Sequence, residues 1–277
     1  MDFLSFDNVS FTYPPVDNQL ETDENGQPII PAPVFDYFSA SLPGGFVSLI
    51  GPNASGKSTF LLLAGGRLNP QQGKVLLFGE DIAGVSEERR NELASFIYQN
   101  MEFDQDEPVG ELLETVYSAG YHDKTAEKNA SLFEDVLSVF ELKPVLNHKL
   151  TGISKGEIQR VLLAFSILYG SKSIFMDEPM FAMEDRQKHT AMQFIRDYSK
   201  NYGVPVYIAM HELDLSRKYA ENVLLFYPDR SMDFGTPEEV LTNEALEKAY
   251  GVPAAMLRET ESLTRNALKE SSEAGLK

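Results

Sequence analysis

The chain has 277 residues, 43% of them hydrophobic, with no cysteine and a formal net charge of −18. That length and apolar content suffice for one large α/β domain with a subdomain, and the lack of thiols excludes disulfide scaffolds and cysteine-based metal or redox centres. The negative charge argues against nucleic acid or anionic lipid as direct partners. No run reaches the roughly 18 consecutive apolar residues of a membrane span, and Met1-Asp2-Phe3-Leu4-Ser5 lacks a basic leader. The expectation is a soluble, cytoplasmic chain without direct lipid insertion, reaching a membrane only through another protein.

Taken in chain order, residues 3–13 are rich in aromatic and β-branched side chains and read as a strand, ended by Pro14-Pro15. Residues 16–33 are polar and proline-rich, and Asn25-Gly26 predicts a small hairpin there. A second strand over residues 34–42 leads through Pro43-Gly44-Gly45 into the apolar run Phe46-Val47-Ser48-Leu49-Ile50. The next segment, Gly51-Pro52-Asn53-Ala54-Ser55-Gly56-Lys57-Ser58-Thr59, fits G-x-x-x-x-G-K-S/T and precedes the helix-like run Phe60-Leu61-Leu62-Leu63-Ala64. Strand, glycine turn and helix in that order predict a phosphate cradle. Gly51 and Gly56 let the backbone curl until its N–H groups point at an anion, and the helix start adds partial positive charge. Lys57 reaches the β- and γ-phosphates of a nucleoside triphosphate, and the Ser58 hydroxyl holds Mg²⁺.

Residues 74–78 predict a short strand, Ser86 caps a helix over residues 87–94, and Phe96-Ile97-Tyr98 is a strand ending at Gln99. An acidic loop over residues 100–107 stops at Pro108, after which apolar spacing predicts helices over residues 109–119 and 124–140. Ser154-Lys155-Gly156-Glu157 forms a capping box before an apolar helix that ends at Gly170, and such a helix start is also an anion site. The strand Ser173-Ile174-Phe175-Met176 ends in adjacent carboxylates, which are costly to bury without a cation. With Lys57 upstream, that cation is Mg²⁺ on Asp177, and alternation puts Glu178 on the opposite side of the strand, free to polarise a water. His211 lies just past a strand over residues 204–210 and on its own reads as a structural hydrogen-bonding residue.

Together these motifs resemble the nucleotide-binding subunits of ABC transporters over roughly residues 3–252. Gly51–Thr59 looks like the Walker A loop, Gln99 like the Q-loop glutamine, Ile153–Glu157 like the signature LSGGQ or LSGGE, Ile174–Glu178 like Walker B with its glutamate, and His211 like the H-loop histidine. Tyr13 falls where the family stacks an aromatic ring on adenine, although a strand tyrosine reads equally well as core. The resemblance implies an α/β P-loop NTPase (RecA-like) core with an N-terminal antiparallel β subdomain and an inserted α-helical subdomain. It implies one ABC ATPase domain: residues 1–98 carrying the β subdomain and phosphate loop, 99–168 helical, 169–252 the rest of the core and 253–277 a tail.

It further implies ATP and Mg²⁺ as ligands and a head-to-tail pair with a second ABC ATPase subunit, expected to be a homodimer. Each ATP would then lie between the phosphate loop of one subunit and Ser154, Gly156 and Glu157 of the other. Glu178 would be the base, His211 would contact the γ-phosphate, and Gln99, with Ser58 and Asp177, would contact Mg²⁺. A transmembrane permease would dock near residues 100–118. Residues 108–113, 235–241 and 246–252 look most like ATPases of metal-chelate and cobalamin importers. Three departures stand out. Lys155 replaces a signature glycine, adding bulk that opposes closure and charge that favours phosphate. Glu184 replaces an aspartate, and Ala54 a common glycine at a variable position, where little effect is expected. The alternatives are a soluble ABC-type ATPase without a transport role and a nucleotide switch that binds without turnover.

Overall fold

The structure is a computed structural model that describes residues 3–14, 31–99, 101, 106–123 and 125–257. The hairpin expected within residues 16–33 falls on residues 15–30 in the main, and with most of the acidic loop and tail it lies outside the described residues.

Two sheets organise the chain. β1 (Leu4–Phe11) and β2 (Phe35–Leu42) pair antiparallel, β3 (Phe46–Ile50) enters the other sheet, and α1 (Lys57–Ala64) leads to β4 (Gln72–Leu77) and the short β5 (Glu80–Asp81). The first sheet is antiparallel in the order β2-β1-β4-β5. In β1, Leu4, Phe6, Val9 and Phe11 are buried while Asp7 and Asn8 are exposed, so only one face is apolar. That face covers α1: Phe6 stacks on Phe60 with centroids 4.7 Å apart, and Phe60 meets Phe226 of the second sheet edge-on at 5.7 Å. The phosphate-loop helix is therefore held between two sheets, with Phe60, Leu61, Leu63 and Ala64 wholly buried.

After α2 (Glu87–Leu93), which Ser86 caps by accepting from the Arg89 N–H, come β6 (Ser95–Ile97) and α3 (Val109–Ala119). Residues 124–140 do not form the single helix expected from their spacing. A 3₁₀ turn spans Glu127–Asn129, and α4 is confined to Leu132–Val139. The break has a local cause: Asp123 accepts from both the N–H and hydroxyl of Thr125, and the buried Asn129 side chain donates to the Asp123 carbonyl at 2.6 Å. Such side-chain bonds compete with the helical ladder.

The chain continues through α5 (Lys155–Tyr169), β7 (Ile174–Asp177), α6 (Asp185–Tyr202), β8 (Val206–Ala209), α7 (Leu213–Tyr219), β9 (Asn222–Phe226), β10 (Met232–Gly235), α8 (Pro237–Val240) and α9 (Asn243–Tyr250). The second sheet has the order β10-β9-β3-β8-β7-β6, with β9, β3, β8, β7 and β6 parallel and β10 antiparallel at the edge. Every residue of β3, β7 and β8 is buried, as expected for parallel strands covered on both faces. One face meets α1 and the smaller sheet, and the other shares a single apolar cluster with α3, α4, α5 and α6. The helical insertion thus packs on the same core as the sheet. No helix among the described residues is long and apolar enough to cross a membrane.

Candidate active site

Four adjacent parallel strands, β3, β8, β7 and β6, deliver the phosphate loop, His211, Asp177-Glu178 and Gln99 to the same sheet end, beyond their carboxyl termini. Parallel α/β sheets bind ligands at that end because the strand-to-helix turns and helix N-termini gather there.

Gly51 leaves β3 with φ 149°, and a Cβ there would stand 2.6 Å from the Phe226 carbonyl oxygen, so no other residue fits. The Pro52 carbonyl accepts from the Ser55 hydroxyl at 2.8 Å, closing the turn through Asn53 and Ala54. Ala54 adopts φ 61°, a left-handed conformation that costs an L-residue about 1 kcal/mol and glycine almost nothing. Alanine is carried at this position at that modest backbone cost. Gly56 is the N-cap of α1 and has no side chain to offer, so the first N–H groups of the helix are left for an anion.

Lys57 is 6% exposed, and its ammonium donates to the Gly51 and Pro52 carbonyls at 2.7 and 2.9 Å. Burial pulls its pKa below the usual lysine value, against the opposing pull of Glu178 and Asp177. Asp177 is 8% exposed, and burial raises its pKa even though the Ser58 hydroxyl donates to it and Lys57 lies nearby. Desolvation outweighs attraction for both members of this pair, so a further cation is the natural means of keeping Asp177 ionised. Ser58 and Asp177 supply one hydroxyl and one carboxylate, the sparse oxygen set that Mg²⁺ completes with water and phosphate. The residues fit that ion.

Glu178 departs from expectation. The strand ends at Asp177, and Glu178 takes φ 47°, so strand alternation no longer sets its direction. Its carboxylate interacts electrostatically with Lys57, as does that of Asp177. It accepts from the Gln99 carboxamide at 2.8 Å and meets His211 Nε2 at 2.7 Å. The His211 bond is the main cause of its lowered pKa, with burial opposing. His211, unremarkable as a lone histidine, thus belongs to a side-chain cluster. Tyr13 is 44% exposed, sets its hydroxyl 3.1 Å from Thr59 Oγ1 and packs edge-on against Phe11, so its ring stands beside the first turn of α1.

The structure does not bring Ser154, Gly156 and Glu157 to this cluster. Their described contacts run to one another and to Arg160, His148 and Ala182. The capping box is complete: Ser154 Oγ accepts from the Glu157 N–H at 3.3 Å, and the Glu157 carboxylate accepts from the Ser154 N–H at 2.8 Å. The Ser154 hydroxyl, which donates to the same carboxylate at 2.7 Å, and then the Ser154 N–H hold Glu157 below the usual carboxylate range. Sequence reasoning passed over Gln159 and the pair Lys188–Glu212, which joins α6 to the residue after His211. Neither carries a local signal, because each partner lies more than twenty residues away.

The model of the family described as ABC transporter matches residues 39–181, just over half of the chain and the span from β2 through the Walker B carboxylates. This chain belongs to the ABC transporter family. As an ABC cassette it binds and hydrolyses ATP. Among curated relatives, it is 29% identical over 229 residues to the hemin import ATP-binding protein HmuV of Pseudomonas aeruginosa, covering 79% of this chain and 87% of that protein. It is 25% identical over 228 residues to the cobalamin import ATP-binding protein BtuD of Halobacterium salinarum, covering 80% of this chain and 56% of that one. An ATP binding subunit of an ABC transporter superposes with TM-score 0.70 at 20% identity, over 93% of this cassette and 98% of that chain. A dimeric ATP-binding cassette in a post-hydrolysis state bound to ADP and Pi gives TM-score 0.67 at 21% identity, over 84% and 98%. At those identities the two structures speak for the fold, and the cassette shares it.

Proposed function

We propose that this cassette drives a membrane importer of a metal chelate by closing as a homodimer on ATP and opening after hydrolysis. The observation that carries the chemistry is Glu178, held between Gln99 and His211 in the field of Lys57. Lys57 and the amides of Gly51–Thr59 bind the phosphates, and Tyr13 offers a half-exposed ring for the base. Ser58, Asp177 and Gln99 would hold Mg²⁺, which when bound would neutralise charge on the β- and γ-phosphates. Glu178 takes the proton from the attacking water. His211 keeps Glu178 ionised through their bond and would donate to the γ-phosphate. Ser154, Gly156 and Glu157, which make no described contact with their own chain's phosphate loop, serve the partner's nucleotide through the N-terminus of α5.

A cavity of about 270 Å³ beside the Gln99 segment supports permease docking; Arg67, Asn91, Phe96, Met101, Val116 and Phe165 line it. A helix carrying one or two large apolar side chains suits that lining, and attachment through such a permease places this acidic chain on the cytoplasmic face. The import direction and the metal-chelate class follow the hemin and cobalamin importers to which the sequence is similar. The test is Glu178→Gln. Mg-ATP binding is expected to persist, turnover to fall by about 10²–10⁴-fold as for loss of a general base, and an ATP-dependent dimer to accumulate in size-exclusion chromatography. Turnover at the parental rate would remove Glu178 from the role of base.

A further inference from the structure

The segment joining β7 to α6, residues 178–184, carries Glu178 at its start and is fastened along its length. Pro179, Met180 and Met183 are buried, and the Met183 N–H donates to the Met180 carbonyl at 3.1 Å. Glu184 caps α6 in a reciprocal box with Gln187. In between, the Ala182 N–H donates to the side-chain oxygen of Gln159 at 2.7 Å. Gln159 lies in the second turn of α5, one turn beyond Gly156. A Cβ on Gly156 would stand 2.7 Å from the Ala182 carbonyl oxygen, so backbone meets backbone at the same residue. Ala182 thereby meets α5 through both its N–H and its carbonyl oxygen.

We propose that Gln159 is a positioning residue: its carboxamide oxygen latches the 179–184 loop to the start of α5, so that Glu178 and the Ser154–Glu157 turn keep a set spacing within one chain. This rests on the reading above, in which Glu178 acts on its own chain's ATP and the α5 N-terminus on the partner's. Under that reading the latch makes each site's hydrolytic geometry depend on the closure of the other. Met180 and Met183 already anchor the loop apolarly, so the Gln159 bond sets where Ala182 sits more than whether the chain folds.

The experiment compares Gln159→Leu, similar in size but without an acceptor, with Gln159→Glu, whose carboxylate oxygen accepts from the same N–H. Both are measured in the full chain for steady-state ATPase activity, Mg-ATP affinity by equilibrium binding, and amide exchange of peptides covering residues 179–184. Gln159→Leu is expected to lose about 5-fold in kcat, the size of one net hydrogen bond, with binding affinity unchanged and exchange in the loop accelerated. Gln159→Glu is expected to match the parent in all three. Parental kcat and exchange in Gln159→Leu would overturn the latch, as would equal losses in both variants or a loss of affinity parallel to that of kcat. If the parent itself does not hydrolyse ATP, the functional reading fails instead, and loop exchange alone then decides whether Gln159 fastens Ala182.

Discussion

Within the phosphate loop, position 51 is the most constrained by geometry. Its φ of 149° and its approach to the Phe226 carbonyl leave no space for even one carbon. Gly51→Ala is therefore expected to destabilise the fold by about 2 kcal/mol or more, because the obstacle is backbone and cannot rotate away. Urea unfolding read by circular dichroism checks this, and an unchanged midpoint would show that the loop relaxes. Lys57 and Glu178 illustrate what charge does at the same scale. Lys57 is named by its motif, but its bonds to the Gly51 and Pro52 carbonyls and its depressed pKa come from burial that no motif encodes. Alternation alone does not set the direction of Glu178, because the pattern ceases where the backbone leaves the extended region.

Between elements, the junctions are made by side chains that reach across. Glu141, at φ 52° just past α4, accepts from the Gln187 carboxamide at 2.9 Å and pairs with Arg186 at 2.5 Å and Arg160 at 3.5 Å. It ties the helical insertion to the starts of both α5 and α6. The Gln187 bond, followed by Arg186, holds its pKa below the ordinary carboxylate value. A depressed carboxylate contributes stability that is fully present above its unfolded pKa of about 4.3 and is lost as pH falls through the lower folded value. Glu141→Gln should accordingly be less stable than the parent at pH 7, with the difference shrinking in the acid range below about pH 4. Denaturation midpoints of both chains across pH test this; a gap independent of pH would assign the effect to packing. Lys188, buried on α6, pairs with Glu212 in the same manner and steadies the turn that carries His211.

For the molecule as a whole, the two sheets form a vice around α1, and the proposed nucleotide site lies where that helix begins. Ligand that binds only the folded chain stabilises it by mass action, by about 2.7 kcal/mol at 100 times its Kd. For a chain of this size Mg-ATP at that excess is expected to raise Tm by roughly 5–10 °C. Lys57→Ala should abolish most of the shift by removing the phosphate's point charge. Differential scanning fluorimetry with and without Mg-ATP reads this directly. Equal shifts in both chains would place the nucleotide elsewhere. The acidic surface, with its formal net charge of −18, also disfavours the approach of two copies until phosphate binding compensates locally, in keeping with closure driven by nucleotide.

Local order was legible in the residues themselves. The glycine spacing of 51–59, the capping box of Ser154 and Glu157, the Gly170 terminus and the largely apolar strands all rest on interactions spanning a few residues, which composition and spacing encode. Even there, Asp123 and Asn129 broke a helix that periodicity alone had continued. The union of Gln99, Glu178 and His211 into one cluster needed the parallel order of β6, β7 and β8, since its bonds span 79 and 33 residues. Gln159 on Ala182 and Glu141 on three partners belong to the same class, as do the burial of Lys57 and Asp177 and the energetics that follow from it. A side chain's neighbours across the chain, and the water it loses to them, are set by the packing of whole elements.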